Sequence, residues 1–322
     1  MAAGSPSSAG RWRPLPEPDA MLTGETLRLF VSSLFLQAGY NTVVVVLGVT
    51  ALGLAAGLVG AFALLRKRAM MTDVLSHATL PGLAAAWLVA TGLGASGRSL
   101  PVLLTGAAIA AIVAALTVQW LTRAARLPED AAMGATLSVF FGLGAVLLSY
   151  IQTLRTGSEG GLARFILGQT ATMSEQDAYV IATAAVVAII VAVLLEKEFR
   201  IVCFDPQFGA AQGWPVALID LLLMTIVVGV AVVGLQAVGM VLIIALMIIP
   251  AATARLWTDR LRVMLALSSL FGAASAWIGA SLSAALPKAP AGGLIVLVAG
   301  AFFIISLAVA PSRIRASSAE AR

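Results

Sequence analysis

The 322-residue sequence holds one cysteine, one histidine and three lysines, and only 11% of it is charged. A lone Cys203 excludes an internal disulfide, and with no CxxC pair the chain has no Cys/His cluster for a structural zinc. Lys67, Lys197 and Lys288 are the lysines, and none follows glycine in a Walker A pattern, so no phosphate-cradling loop of that kind is expected. So little charge excludes a soluble enzyme, for which about 25% is usual, and equally a disordered regulator. What fills the sequence instead is apolar: 60% hydrophobic residues, with a mean hydropathy of +1.01. Apolar blocks of about twenty residues recur between residues 42 and 310, the length that crosses a bilayer. Such blocks must be helices, because lipid leaves no partner for open backbone and a barrel strand is half as long. The expectation is an all-α, polytopic membrane protein.

Nine candidate spans are read near residues 42–65, 74–95, 100–122, 133–153, 178–195, 216–235, 237–254, 263–285 and 291–311. Eight is the alternative count, because the break at Gly234–Gly239 is tight enough for a re-entrant segment. The organisation is a flexible N-terminal tail over 1–24, a transmembrane domain over 25–312 and a C-terminal tail over 313–322. The tail lacks the apolar core and cleavage site of a signal peptide. Residues 26–38 are apolar but too short to cross, and are expected to lie at the membrane interface.

A net charge of +5 and a pI near 10.0 would point to nucleic acid in a soluble protein. Here the basic residues lie between spans and report orientation instead. Arg66, Lys67, Arg68, Arg123, Arg126, Lys197, Arg200, Arg255, Arg260, Arg262, Arg313, Arg315 and Arg322 fall on one side, 13 of the 20 Lys and Arg. That side is expected to be cytoplasmic, which puts the N-terminus outside and the C-terminus inside. The longer connections are then an outer one over 154–177 and an inner one over 196–215.

The most informative polar residues stand in M-T-D-V-L-S-H-A-T-L-P-G, residues 71–82. Asp73 and His77 are four apart, so a helix puts them on one face. Counted from Arg68, His77 lies about 13.5 Å into a core about 30 Å thick. Ionisable groups at that depth are costly and by default functional. A carboxylate beside an imidazole suits a divalent first-row metal, but two ligands cannot enclose an ion, so a second chain with its own pair would be needed. Ser76 points about 100° away from His77, which rules out a nucleophile–base pair in that helix. Pro81 frees the carbonyl of His77 and Pro250 that of Leu246, each a kink or hinge. Asp220, a turn past Pro215, either reaches headgroups or a basic side chain or has a functional role.

The inner connection reads F-D-P-Q-F-G-A-A-Q-G-W-P. Asp205 is a good N-cap, Pro206 a good first residue and Gly213 a good residue past the end. A helix over 206–212 is therefore expected on the cytoplasmic face. Phe208 and the small residues Gly209 and Ala210 should be exposed on it, free to dock on a partner or to serve as a stiff connector.

Residues 64–88 resemble the signature of the metal-ion ABC transporter permeases, the manganese/zinc/iron importer family. Residues 204–215 resemble that family's coupling segment, and V-G-M-V-L-I-I-A-L-M-I-I-P-A-A-T-A, residues 238–254, its third characteristic block. The stretch over 127–144 is more similar to the manganese/iron branch. The resemblance implies a subunit of an ATP-driven importer that is not itself an enzyme and holds no permanent cofactor, with Mn²⁺ favoured over Zn²⁺ or Fe²⁺ as cargo. It implies Asp73 and His77 as metal ligands on a dimer axis, with the second permease chain either self or a sister subunit. It also implies a cytosolic ATPase dimer docking on Asp205, Pro206, Phe208, Gly209, Ala210 and Gly213, an extracytoplasmic metal-binding protein, and a bacterial plasma-membrane location. From the residues alone, a proton-coupled cation carrier using Asp73 and His77 as a relay stays open.

Overall fold

The computed structural model describes residues 24–66, 69–93, 100–154, 173–286 and 289–310. The predicted tails, apart from Gly24, and all but the ends of the 154–177 connection lie outside them. Every regular element described is a helix: α1 Gly24–Leu34, α2 Tyr40–Leu65, α3 Ala69–Gly92, α4 Leu100–Arg123, α5 Glu129–Thr153, α6 Glu175–Leu194, α7 Glu196–Phe204, α8 Pro206–Ala211, α9 Val216–Val238, α10 Met240–Trp257, α11 Leu261–Ala285 and α12 Ala291–Val309. Eight of them are long and apolar enough to cross a membrane.

The status of α10 follows from contacts at one end of the bundle. Arg66, just past α2, pairs with Asp220 near the start of α9 at 3.1 Å. Arg262, at the start of α11, pairs with Glu196, just past α6. Helix α6 runs parallel to α2, since Gly48 faces Ala178 while Phe62, further along, meets Phe199 of α7. Both α9 and α11 therefore start at the Arg66 end. Helix α9 leaves that end, so α10 must return to it. Gly239, at φ 85°, makes the reversal, and Gly234 faces Ile243 across it. At 18 residues α10 is about 27 Å long, nearly the core thickness. Eight described helices thus meet the length for a span, and α10 is a shorter apolar helix that folds back beside α9 toward the Arg66 end.

Helix α2 is the mast, touching α3, α6, α7, α9, α10 and α11. Its glycines explain why. A Cβ on Gly53 or Gly57 would strike the backbone of α11 at Gly272 and Ser268, and one on Gly60 would strike α10 at Met247. Ser268 donates its hydroxyl to the Gly57 carbonyl, using the same close approach. Gly53-x-x-x-Gly57 is thus a real packing motif. At the Tyr40 end, α1 lies against α11 through the Trp277 Nε1 donor and the Leu34 carbonyl, 3.2 Å apart. Its Leu27, Leu29 and Val31 are exposed, as is Phe35 just past it.

The inner connection is the main departure from expectation. Residues 196–204 form α7 rather than loop, with Phe199 and Val202 buried one turn apart.

Gly57→Leu should therefore destabilise the bundle by about 1–3 kcal/mol through overpacking. Gly300→Leu should be near neutral, because nothing lies within 4 Å of that position. Thermal unfolding in detergent reads the difference; equal losses at both positions would contradict the packing account.

Candidate functional site

Helix α3 forms because Leu, Met and Ala dominate residues 69–92, and it is buried on nearly every side. Thr72, Val74, Leu75, Ser76, Ala78 and Thr79 are all buried. Asp73 and His77 interrupt this: their side chains are 39% and 25% exposed, and they form one polar window in an apolar wall. His77 Nε2 lies 3.3 Å from Asp73 Oδ1. The open stripe continues with Met70 before the pair and Ala85 and Val89 beyond it. Ser76 faces away, its hydroxyl donating to the Thr72 carbonyl at 2.8 Å, so no nucleophile stands beside the imidazole.

One neighbour was not legible in the sequence. Phe141 of α5 packs edge-on against the His77 ring, with centroids 5.0 Å apart at 86°. The ring restricts the imidazole and leaves Nε2 directed at Asp73. In a span containing Phe140 and Phe141 side by side, no local signal distinguishes the one that meets the histidine.

One turn beyond His77, Pro81 continues within α3. Gly144 of α5 accommodates Leu80 and Pro81, and Gly82 meets Gly106 of α4 so closely that neither could carry a side chain. The segment after the polar pair is thus gripped from two sides. Pro250 likewise lies inside α10, less than one turn past the Met247 contact with α2.

Asp73 and His77 could hold a metal ion, but two donors leave its coordination open. Among the described residues no three His, Cys, Asp or Glu side chains come together. The arrangement can contribute one carboxylate oxygen and one imidazole nitrogen from an open face. Completing a site takes a second such face.

At the Arg66 end, α8 is built as expected. Asp205 Oδ1 accepts from the Phe208 N–H at 2.9 Å, and Pro206 opens the helix. Gly213 at φ 83° closes it, with the Trp214 N–H on the Gly209 carbonyl and the Gly213 N–H on the Ala210 carbonyl. Gly209 departs from expectation. It is buried, and a Cβ there would meet Ile201 and Val216. Phe208 and Ala210 of this short helix are exposed, as are Phe204 before it and Trp214 after it.

The ABC 3 transport family model matches residues 39–310. The chain belongs to that family. It is 39% identical over 282 residues to the manganese transport system membrane protein MntC of Bacillus subtilis, covering 87% of this chain and 64% of that protein. It is 40% identical over 278 residues to the zinc transport system membrane protein TroC of Treponema pallidum, covering 86% of this chain and 92% of that one. Among solved structures, PsaBC from Streptococcus pneumoniae in complex with Fab superposes with a TM-score of 0.71 at 30% identity, covering 88% of this chain and 96% of that chain. As an ABC 3 member the chain is a multi-pass plasma-membrane permease subunit of an import system rather than an enzyme. In such systems the ATPase is a separate subunit and a substrate-binding protein serves the permease.

The burial of Gly209 separates two substitutions on α8. Gly209→Arg drives a side chain into Ile201 and Val216 and should cost about 1–3 kcal/mol of stability. Ala210→Trp adds bulk to the free face and should stay within about 0.5 kcal/mol. Thermal unfolding of the two purified variants checks this, and equal destabilisation would mean that the free face is not free.

Proposed function

We propose that this permease carries Mn²⁺ inward, in preference to Zn²⁺ or Fe²⁺, through a site made by Asp73 and His77 of two chains. The observation that carries the proposal is the polar window on α3: two ligands of mixed oxygen–nitrogen type, partly open, on a helix whose neighbouring residues Thr72, Val74, Leu75, Ser76 and Ala78 are buried. A second copy or a sister permease facing that stripe supplies two more donors. Two carboxylates and two imidazoles accept Mn²⁺, while Zn²⁺ stands higher in the affinity order. Preference for Mn²⁺ therefore comes from delivery and release rather than from the ligands. The manganese systems among the relatives support this choice of cargo, and the zinc system of TroC keeps Zn²⁺ within range.

The remaining assignments follow the same reading. The transmembrane domain spans 25–312 between the tails 1–24 and 313–322. The Arg66 end is cytoplasmic, with the N-terminus outside and the C-terminus inside, as the basic bias requires. A cytosolic ATPase dimer docks at α8, where Asp205, Pro206 and Gly213 fix the helix, Gly209 seats it, and Phe208 and Ala210 meet the partner. An extracytoplasmic metal-binding protein delivers the ion at the Tyr40 end. Pro81 and Pro250 serve as hinges.

Two experiments test this reading. In cells lacking other importers, His77→Ala should abolish uptake of every metal, because the chain has no second histidine. Asp73→Asn, which keeps shape but loses charge, should lose most of it. Near-normal uptake by His77→Ala at matched expression would end the metal-site assignment. For orientation, cysteines placed at 207 or 210 in a Cys203→Ser background should resist membrane-impermeant reagents in intact cells and react in inverted vesicles. Labelling from outside would sink both the topology and the docking assignment.

A further inference from the structure

The buried group that the ligand and docking assignments leave unused is Asp220. Its side chain is 2% exposed, and Arg66 Nε meets its Oδ1 at 3.1 Å across 154 positions of sequence. A charged pair held this deep is costly to desolvate and stands only with good geometry. Its place in the chain is informative. Asp220 lies in the first turn and a half of α9, the helix that leaves α8, whereas Arg66 stands three residues before α3, the helix that carries Asp73 and His77.

The other flank of α8 reaches the same corner. Helix α7, which leads into α8, places Phe199 against Phe62 of α2, with centroids 5.4 Å apart at 72°. One turn on, Cys203 Sγ donates weakly to the Phe62 carbonyl at 3.8 Å. Phe62 and Arg66 are one turn apart at the end of α2. Both arms of the exposed α8 helix therefore grip the corner from which α3 starts, one by an aromatic contact and one by an ion pair. A push on α8 has two routes into that corner, three residues short of α3.

We infer that Arg66–Asp220 and Phe62–Phe199 are a two-armed positioning clamp that transmits displacement of α8 to α3 and so couples ATP turnover to exposure of Asp73 and His77. None of the four residues touches the cargo; they act through the helix that holds it. The inference rests on the proposed transport function, and the closing experiment separates the two.

The test uses the complete transporter, this permease with its ATPase and binding protein, in proteoliposomes supplied with Mn²⁺. The readout is Mn²⁺ imported per ATP hydrolysed, a ratio that a merely structural weakening would leave in place while total activity falls. Arg66→Gln and Asp220→Asn should each lower this ratio by about fivefold or more, the usual lower range of a coupling energy. The exchange Arg66→Asp with Asp220→Arg should restore more than half of it. Phe199→Leu keeps the ion pair and reads the other arm, so it decides the matter if Asp220→Asn does not assemble; it too should lower the ratio. Unchanged ratios in variants of a wild type that couples normally would overturn the clamp alone. A wild type that imports no Mn²⁺ with ATP would overturn the clamp together with the function beneath it.

Discussion

Close contact of helix backbones around α2 is the constraint on which the rest of this structure depends. In a bilayer, apolar side chains gain little by leaving lipid for one another, so association rests on packing and on a few interhelical hydrogen bonds. Gly53, Gly57 and Gly60 remove the side chains that would hold α10 and α11 away, and Ser268 uses the resulting approach to reach the Gly57 carbonyl. With α2 fixed in this way, its ends become reference points. At one end Gly48 and Ala178 set α6 beside it; at the other Phe62 and Arg66 receive α7 and α9.

That scaffold determines what α3 can present. Glycines of α4 and α5 pin α3 beyond His77, Phe141 restricts the imidazole, and the corner at Arg66 sets where the helix begins. Only one stripe stays open, and it bears the two ionisable side chains. The cost of such groups within the apolar layer is offset only if something charged or polar meets them. A single chain brings two ligands to the stripe. The chain itself belongs to the ABC 3 family and superposes on PsaBC, and a facing copy is what the proposed site needs.

Much of this was legible in the sequence, and the parts that were not share one cause. The spans were, because each is a contiguous apolar block: 42–65 became Tyr40–Leu65, and 216–235 became Val216–Val238. Helix α8 was, because Asp205, Pro206 and Gly213 act on their immediate neighbours. The placement of Asp73 and His77 on one face followed from helical spacing. Contacts between distant residues were not legible. Nothing near Gly209 says that Ile201 and Val216 will close over it, and nothing near Asp220 names Arg66 as its partner. No local signal sets Gly53-x-x-x-Gly57 apart among 30 glycines; its contact with α11 does. The charged residues of α7 have the composition of a connection, although Phe199 and Val202 stand at helical spacing.

Because His77 is the chain's sole histidine, histidine ligation of the cargo can be read without mutation. The direct measurement is pulsed electron paramagnetic resonance of Mn²⁺ bound to the purified permease, with ¹⁵N supplied only in histidine. Two chains contributing one imidazole each predict coupling to two equivalent ¹⁵N nuclei, at one Mn²⁺ per two chains. A bound Mn²⁺ with no histidine nitrogen coupling would contradict the account, since the window on α3 would then be a packing feature and the ion would travel elsewhere.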